Sequence, residues 1–314
     1  MSQLSIFALD IYGVALVLLL VLRAIVGERW PVIAFVNLFL HFLLAISLMI
    51  VPIRLVARRR WLVIFNLIPA LLLVVYYAPN FLPPSVRAAE DISIRVFSYN
   101  VSGGIADVIE SFVDEADPDV VLLQDVNPGN VIRLNDALKS RYPFVAINMR
   151  DLRAWVTFSR LPFVETPYRD GEAGYQRITL EIEGQPLTIY NVHLRSPIRQ
   201  PRRRGIYFNF DARGAQLDLL RAAAAQRSGN VLLMGDFNLT EWSDLYPRIV
   251  ADYVDVHRAR GWGLGFTRDA IGEIPIARID YAFSSANLRP LSIRTWNYSA
   301  GSDHRPLLAD FAFN

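Results

Sequence analysis

Cysteine is absent from the 314 residues, and Lys139 is the only lysine. The first absence excludes a disulfide framework, a thiolate metal site and a thiol nucleophile. The second makes a Schiff-base or phosphate-loop lysine implausible, because each of those mechanisms needs a lysine in its own site. Arginine supplies the rest of the positive charge. Because cysteine is absent, a metal site would have to use oxygen and imidazole ligands.

The larger part of the chain also lacks an excess of positive charge. The formal net charge is +2; residues 1–90 carry seven arginines and three acidic residues, a net +4, which leaves −2 for residues 91–314. A protein that binds long nucleic acid through its phosphates normally carries a basic surface. Apart from the arginine-rich run at 199–204, the charge balance therefore disfavours nucleic acid as a partner.

Long apolar runs are confined to the first 80 residues. Three apolar blocks, at about 4–26, 30–53 and 61–78, each match the roughly 20 residues that cross a bilayer. A cleaved signal peptide would account for the first block alone, and that block starts without Lys or Arg. We therefore predict a membrane anchor with three transmembrane helices at 1–79, a linker at 80–91 and one large domain at 92–314.

The arginines between the second and third blocks predict the orientation of the anchor. Arg54, Arg58, Arg59 and Arg60 lie close together there, and short loops rich in Lys and Arg stay in the cytoplasm. The third helix would then run outward, although the arginines at 23, 29 and 87 would flank the outer face and weaken the bias. The sequence thus predicts a multi-pass protein of the cell membrane whose large domain is extracytoplasmic.

Short runs of β-branched and aromatic residues dominate the pattern after residue 91. Helical patterns are fewer and lie at about 105–116, 129–140, 211–227 and 242–250. Many strands with few helices favour an α+β fold in which two sheets pack face to face with helices outside. The predicted strands are 92–99, 119–124, 143–147, 154–158, 176–182, 187–193, 230–235, 278–283, 291–296 and 306–313.

Several predicted strands end in side chains that can bind metal ions or move protons. Sheet proteins commonly gather their active sites at such strand ends. Any one of these residues is more often simple turn chemistry, whereas the ordered set is far more specific. The set is Asn100, Asp125, His193, Asp236, Asn238, Asp280, Asp303 and His304.

The motifs around these residues resemble the endonuclease/exonuclease/phosphatase family. In order they read SYN, LLQDV, NVHL, GDFN, RIDYAF and SDHRP, they cover residues 91–314, and GDFN and SDH are the sharpest. The resemblance implies a deoxyribonuclease-like four-layer α/β sandwich that hydrolyses a phosphate ester, phosphodiester or pyrophosphate with Mg²⁺ or Mn²⁺. The membrane leader is similar to that of bacterial members linked to glycopeptide resistance, which implies a phosphorylated, lipid-linked substrate.

The resemblance assigns the metal ion to three residues. Asn100, Asp125 and Asp303 would bind it, since hard divalent cations take oxygen ligands. The family usually has Glu where this chain has Asp125, one methylene shorter, which leaves the metal preference open.

The resemblance assigns acid–base and positioning roles to five further residues. Asp236 and Asn238 would position the attacking water and the phosphate oxygens. Asp280 would fix the tautomer of His304, which would act as general base or stabilise developing charge. His193 would contact the scissile phosphate or protonate the leaving group.

Two other functions stay open on the sequence alone. A nuclease acting on extracytoplasmic nucleic acid would use the same motifs, although the charge balance does not favour it. A catalytically dead relative would bind a phosphorylated ligand or scaffold membrane proteins; retention of every motif favours an enzyme. The loop PIRQPRRRG at 197–205 would bind phosphate or an anionic membrane surface, or would simply be solvated.

Overall fold

A computed structural model describes residues 3–56, 61–83, 93–102, 104–150, 152–170, 172–199, 207–208, 210–270 and 273–313. The chain forms two compact units. The first comprises Met1–Leu82 together with Thr240–Tyr246, and the second comprises Pro83–Leu239 and Pro247–Asn314. The predicted domain boundaries stay a prediction.

The described residues form helices at the start of the chain and alternate strands with helices thereafter. The helices are α1 Gln3–Val26, α2 Pro31–Val56, α3 Ile64–Tyr77, α4 Ala106–Ala116, α5 Pro128–Leu138, α6 Phe210–Ala225, α7 Tyr246–Val250 and α8 Val256–Arg260. The strands are β1 Ile94–Asn100, β2 Val120–Val126, β3 Phe144–Arg150, β4 Arg153–Ser159, β5 Tyr168–Asp170, β6 Tyr175–Ile182, β7 Gln185–His193, β8 Ile198–Arg199, β9 Tyr207–Phe208, β10 Asn230–Asp236, β11 Val254–Asp255, β12 Arg268–Ala270, β13 Ile274–Ala277, β14 Asp280–Ser284, β15 Leu288–Thr295 and β16 Leu307–Phe313.

Three helical segments of the first unit are long and apolar enough to cross a membrane: Phe7–Arg29, Pro31–Val56 and Ile64–Phe81. Arg54, predicted to lie in the second loop, belongs to α2 instead and is buried beside Asp10, with Nη2 2.6 Å from Oδ1. Its charge is therefore compensated within the helices, and the orientation argument depends on Arg58, Arg59 and Arg60, which lie outside the described residues.

The segment Thr240–Tyr246 packs among these helices within the first unit. Trp242 is buried; its indole N–H donates to the Tyr77 hydroxyl at 3.2 Å, and its ring lies 4.5 Å from that of Tyr76. Arg23 donates to the Trp242 carbonyl at 2.6 Å. Because these residues are held in turns, the helix predicted over 242–250 begins only at Tyr246.

The second unit contains two six-stranded sheets. Their orders are β15-β16-β1-β2-β4-β3 and β11-β14-β10-β7-β6-β5. Pairs β1–β2 and β7–β10 are parallel and the others antiparallel, so both sheets are mixed. The predicted fold class is therefore confirmed. The sequence patterns missed the short strands β5, β8, β9, β11, β12 and β13 and the one-turn helix α8.

The two large sheets share an apolar core. Val96 of β1 and Met234 of β10 are fully buried in one cluster with residues from both sheets. Gln124 at the end of β2 donates across the layers to Asn191 of β7, with 2.7 Å between Nε2 and Oδ1. A second cluster covers the other face of the first sheet with α4 and α5. The ends of β1 and β2 are thereby held beside the ends of β7 and β10.

Candidate active site

Strand register brings three predicted residues side by side. Asp236, at the end of β10, lies opposite His193 of β7 on one side and Asp280 of β14 on the other. His193 Nε2 is 3.6 Å from Asp236 Oδ2. The second sheet therefore supplies an imidazole and two carboxylates along one edge.

Each position of the GDFN motif has a structural reason. Gly235 adopts φ +140°, and a Cβ there would lie 2.1 Å from the Val192 carbonyl oxygen, so only glycine lets β10 approach β7 this closely. Phe237 is buried against Phe283, with ring centroids 5.1 Å apart. The backbone of Asn238 is in the left-handed region at φ +52°, and its side-chain Nδ2 donates a hydrogen bond to Asp236 Oδ2 at 2.9 Å. The motif thus orients the carboxylate of Asp236 and holds the side-chain amide of Asn238 against it.

Asn100 joins the first sheet to this cluster. Its Nδ2 donates to Asp236 Oδ2 at 2.8 Å, and its Oδ1 accepts from the Ser102 backbone N–H at 3.1 Å. The Ser302 hydroxyl donates to the Asn100 carbonyl at 2.8 Å, which ties the loop before His304 to the same strand end. Asp236 therefore lies between the two sheets.

His304 is buried against Asp280. Its Nδ1 is 2.9 Å from Asp280 Oδ2, and its Nε2 is 3.8 Å from Asp236 Oδ2. The Thr267 hydroxyl accepts from the backbone N–H groups of Ile279 and Asp280, which fixes that carboxylate. Burial opposes a charge on His304, but Asp280 and Asp236 outweigh it and raise its pKa to about 9.

The pKa of the Asp236 carboxyl group is likewise shifted upward from its ordinary value. Burial raises its pKa, and Asp280 adds to the effect, while His304 and His193 oppose it. A cluster in which buried carboxylates and imidazoles compete for protons is suited to acid–base chemistry.

Arg268 is a site residue that the sequence analysis missed. Its Nη1 lies 2.8 Å from His304 Nε2 and its Nη2 lies 2.5 Å from Asp303 Oδ2. A guanidinium is only a donor, so this contact is a hydrogen bond only in the neutral form of His304, in which Nε2 accepts and Nδ1 carries the hydrogen shared with Asp280. Asp280 and Asp236 raise the pKa of His304 and so favour a second proton on its ring, whereas the positive charge of Arg268 lowers that pKa. The only sequence signal was an arginine inside the short run TRDA.

Asp125 lies at an irregularity of strand β2, and its side chain pairs with an arginine. The pairing of β2 with β4 shifts register between Leu123 and Val126, and Asp125 adopts φ +58°. Such an irregularity re-aims a side chain; here the carboxylate faces Arg153, with 3.5 Å between Oδ1 and Nε. Aspartate tolerates this conformation better than most residues. Its predicted role as a metal ligand stays a prediction.

The donor atoms suit a hard divalent cation. Asp303 Oδ1 is shielded from solvent and has no hydrogen-bond partner in the described chain. Asp236, Asp280 and His304 offer ligand atoms that all lie within 4.8 Å of one another. Carboxylate and amide oxygens are the ligands that Mg²⁺ and Ca²⁺ prefer, so these residues fit the expected type of ion without identifying it.

Comparison with known proteins identifies the family. The model of the Endonuclease/Exonuclease/phosphatase family matches residues 97–304. The chain therefore belongs to this family, whose members are hydrolases that act on phosphoester bonds and commonly use divalent metals. A search of curated proteins found no significant match.

Solved structures share the fold at low sequence identity. An endonuclease/exonuclease/phosphatase from Bacteroides vulgatus is 17% identical over 70% of this chain and 99% of its own, with a TM-score of 0.59. TDP2 from D. rerio, complexed with a single-strand DNA product, is 18% identical over 70% and 98%, with a TM-score of 0.57. A mannosyl-6-phosphatase from Bacteroides thetaiotaomicron is 16% identical over 70% and 100%, with a TM-score of 0.56. These likenesses show the fold alone, and the resemblance to the glycopeptide-resistance type stays a prediction.

Proposed function

We propose that this chain hydrolyses a phosphate ester, phosphodiester or pyrophosphate bond with the help of a divalent metal ion. The observation that carries the proposal is the buried cluster around Asp236. Its Oδ2 accepts from Asn100 and Asn238 and lies within 4 Å of both His193 and His304. Carboxylates, amides and imidazoles in one cluster can position water, hold phosphate oxygens and transfer protons.

The ion would be Mg²⁺ or Mn²⁺, and Asn100, Asp125 and Asp303 would hold it. When bound, it would neutralise phosphate oxygens and stabilise the negative charge that develops on them. Arg153 Nε lies 3.5 Å from Asp125 Oδ1, so a metal ion held by Asp125 would compete with this arginine for the carboxylate.

The imidazoles of His304 and His193 would carry out the proton transfers. Asp280 holds His304 by Nδ1, which leaves Nε2 facing the reaction. In its neutral form His304 would take the proton of the attacking water there, and in its protonated form it would stabilise the developing negative charge. His193 Nε2, on the other side of Asp236, would give a proton to the leaving oxygen. Asp236 and Asn238 would orient the water and the phosphate between these imidazoles.

We infer that the substrate is lipid-linked and lies at the extracytoplasmic face of the cell membrane. Three candidate membrane spans support this inference, because a tethered enzyme meets a membrane-bound substrate at high effective concentration. The neighbours in the comparison include one complexed with single-strand DNA and one named for a sugar phosphate. Extracytoplasmic nucleic acid is the second candidate, and the net charge of −2 after residue 90 disfavours it.

Hydrolysis by the purified full-length chain tests the proposal, followed as released phosphate for terminal phosphates and as cleavage products for diesters and DNA. A panel of lipid phosphates, lipid pyrophosphates, nucleotides and DNA would be assayed with Mg²⁺, with Mn²⁺ and with excess EDTA. We expect turnover with either ion, none in EDTA, and a loss of most turnover in Asp125→Ala without unfolding. Full activity in EDTA would refute the metal requirement. Tight binding of a phosphorylated lipid without turnover would instead indicate a catalytically dead binding protein.

A further inference from the structure

The segment that carries Arg268 is fastened to the loop that carries His304. The Arg305 N–H donates to the Thr267 carbonyl at 2.7 Å, and the Asp269 N–H donates to the Asp303 carbonyl at 2.9 Å. Arg268 and His304 consequently pair as an isolated antiparallel bridge. The buried carboxylate of Asp269 also accepts from Arg305 Nε at 2.7 Å. The backbone of Arg268 is therefore fixed beside the site.

The side chain of Arg268 is both close to the reacting groups and accessible. Its guanidinium contacts His304 Nε2 and Asp303 Oδ2, yet the side chain is 35% exposed, whereas that of His304 is 3% exposed. While Arg268 lies 2.8 Å from His304 Nε2, that atom can neither take a proton from water nor, when it is protonated, contact a phosphate oxygen. A working site therefore needs another partner for the Arg268 N–H groups.

A phosphate group meets this need. Arginine presents two parallel N–H groups that match two phosphate oxygens. The carboxylates of Asp236, Asp280 and Asp303 would repel an incoming phosphate, and a cation beside them offsets that repulsion. A terminal phosphate carries up to two negative charges, whereas a phosphodiester carries one, so the guanidinium favours the terminal group.

We propose that Arg268 is a phosphate-binding residue of this active site. Its Nη groups leave His304 and Asp303 for oxygens of the reacting phosphate, which frees His304 Nε2. By its charge Arg268 directs the site toward terminal phosphates, as in monoesters and pyrophosphates, over phosphodiesters. This inference rests on the proposed function.

Two measurements on the full-length chain test the role of Arg268. The first is the affinity for inorganic phosphate, measured by calorimetry; the second is kcat/KM for p-nitrophenyl phosphate and for bis-p-nitrophenyl phosphate. Arg268→Ala should weaken phosphate binding by about 10–100-fold, the usual worth of hydrogen bonds to a charged group. It should also lower kcat/KM more for the monoester than for the diester. Arg268→Lys should recover part of both losses, because it keeps the charge but not the two-pronged geometry.

Arg221→Ala is the matched control, since Arg221 pairs with Asp252 at the surface, and it should behave as the wild type. Unchanged phosphate affinity in Arg268→Ala, with equal losses on both esters, would overturn the proposal and leave Arg268 as a positioning residue for His304. If the wild type hydrolysed neither these esters nor any substrate of the panel above, the proposed function would fail, while phosphate affinity would still decide the role of Arg268. If Arg268→Ala did not fold, Arg268→Gln, which keeps most of the side chain, would replace it.

Discussion

Gly235→Ala should disable the site by forcing strands β7 and β10 apart. The added Cβ would lie 2.1 Å from the Val192 carbonyl oxygen, and such contacts essentially never fall below 3.0 Å. Strands β7 and β10 must therefore shift by roughly 1 Å, and a misplacement of that size costs about 10²-fold in rate. Asp236 and His193, the residues that follow Gly235 and Val192, move apart with the strands.

The same change should also destabilise the fold. An alanine at positive φ costs about 1–3 kcal/mol, and overpacking adds about 1–3 kcal/mol. Gly184→Ala is the control: φ there is +75° and no atom lies within 4 Å of the added Cβ, so only the backbone cost applies. Thermal unfolding and turnover of the two variants separate the effects. The reasoning would be refuted if Gly235→Ala matched Gly184→Ala in both measurements.

Four further outcomes are expected. His304→Ala and His193→Ala should each lose about 10²–10⁴-fold in turnover at a near-wild-type melting temperature, and parallel loss of folding would indicate a purely structural role. Asp280→Asn should reproduce part of the His304 loss, because it removes the charge that supports the imidazolium; unchanged turnover would refute this. Burial and Arg278 lower the pKa of His257 from 6.5 to about 4. The unfolded chain therefore binds this proton first, and the free energy of unfolding should fall by about 3 kcal/mol as the pH drops from 6.5 to 4. His257→Gln should flatten this dependence. A reporter fused after Asn314 should be active outside the cytoplasm, and activity inside would contradict the orientation.

Much of the fold and the cluster could be predicted because strand ends carry their own signals. Short runs rich in Val, Ile, Leu, Phe and Tyr located the ten longer strands. Strand register then places Asp236 between His193 and Asp280. These positions follow from where a strand stops, which the sequence shows directly. The short strands escaped because two to four residues give too little periodicity to recognise.

Side-chain direction was harder to predict. Nothing in LLQDV indicates that Asp125 turns at a bulge toward Arg153, since the bulge arises from pairing with β4. Arg268 was missed because its partners lie 35 and 36 residues further along the chain. Trp242 fits a helical pattern, and its tertiary contacts with Tyr76 and Tyr77 override that local preference.

Asp236 is the side chain around which the proposed chemistry is arranged, and replacing it tests the account most directly. Asp236→Asn keeps the size of the side chain while removing its charge. The full-length variant would be compared with the wild type for metal-dependent phosphate release and for melting temperature. The account predicts a folded protein that has lost at least about 10²-fold in turnover. A folded Asp236→Asn protein with near-wild-type turnover would contradict it.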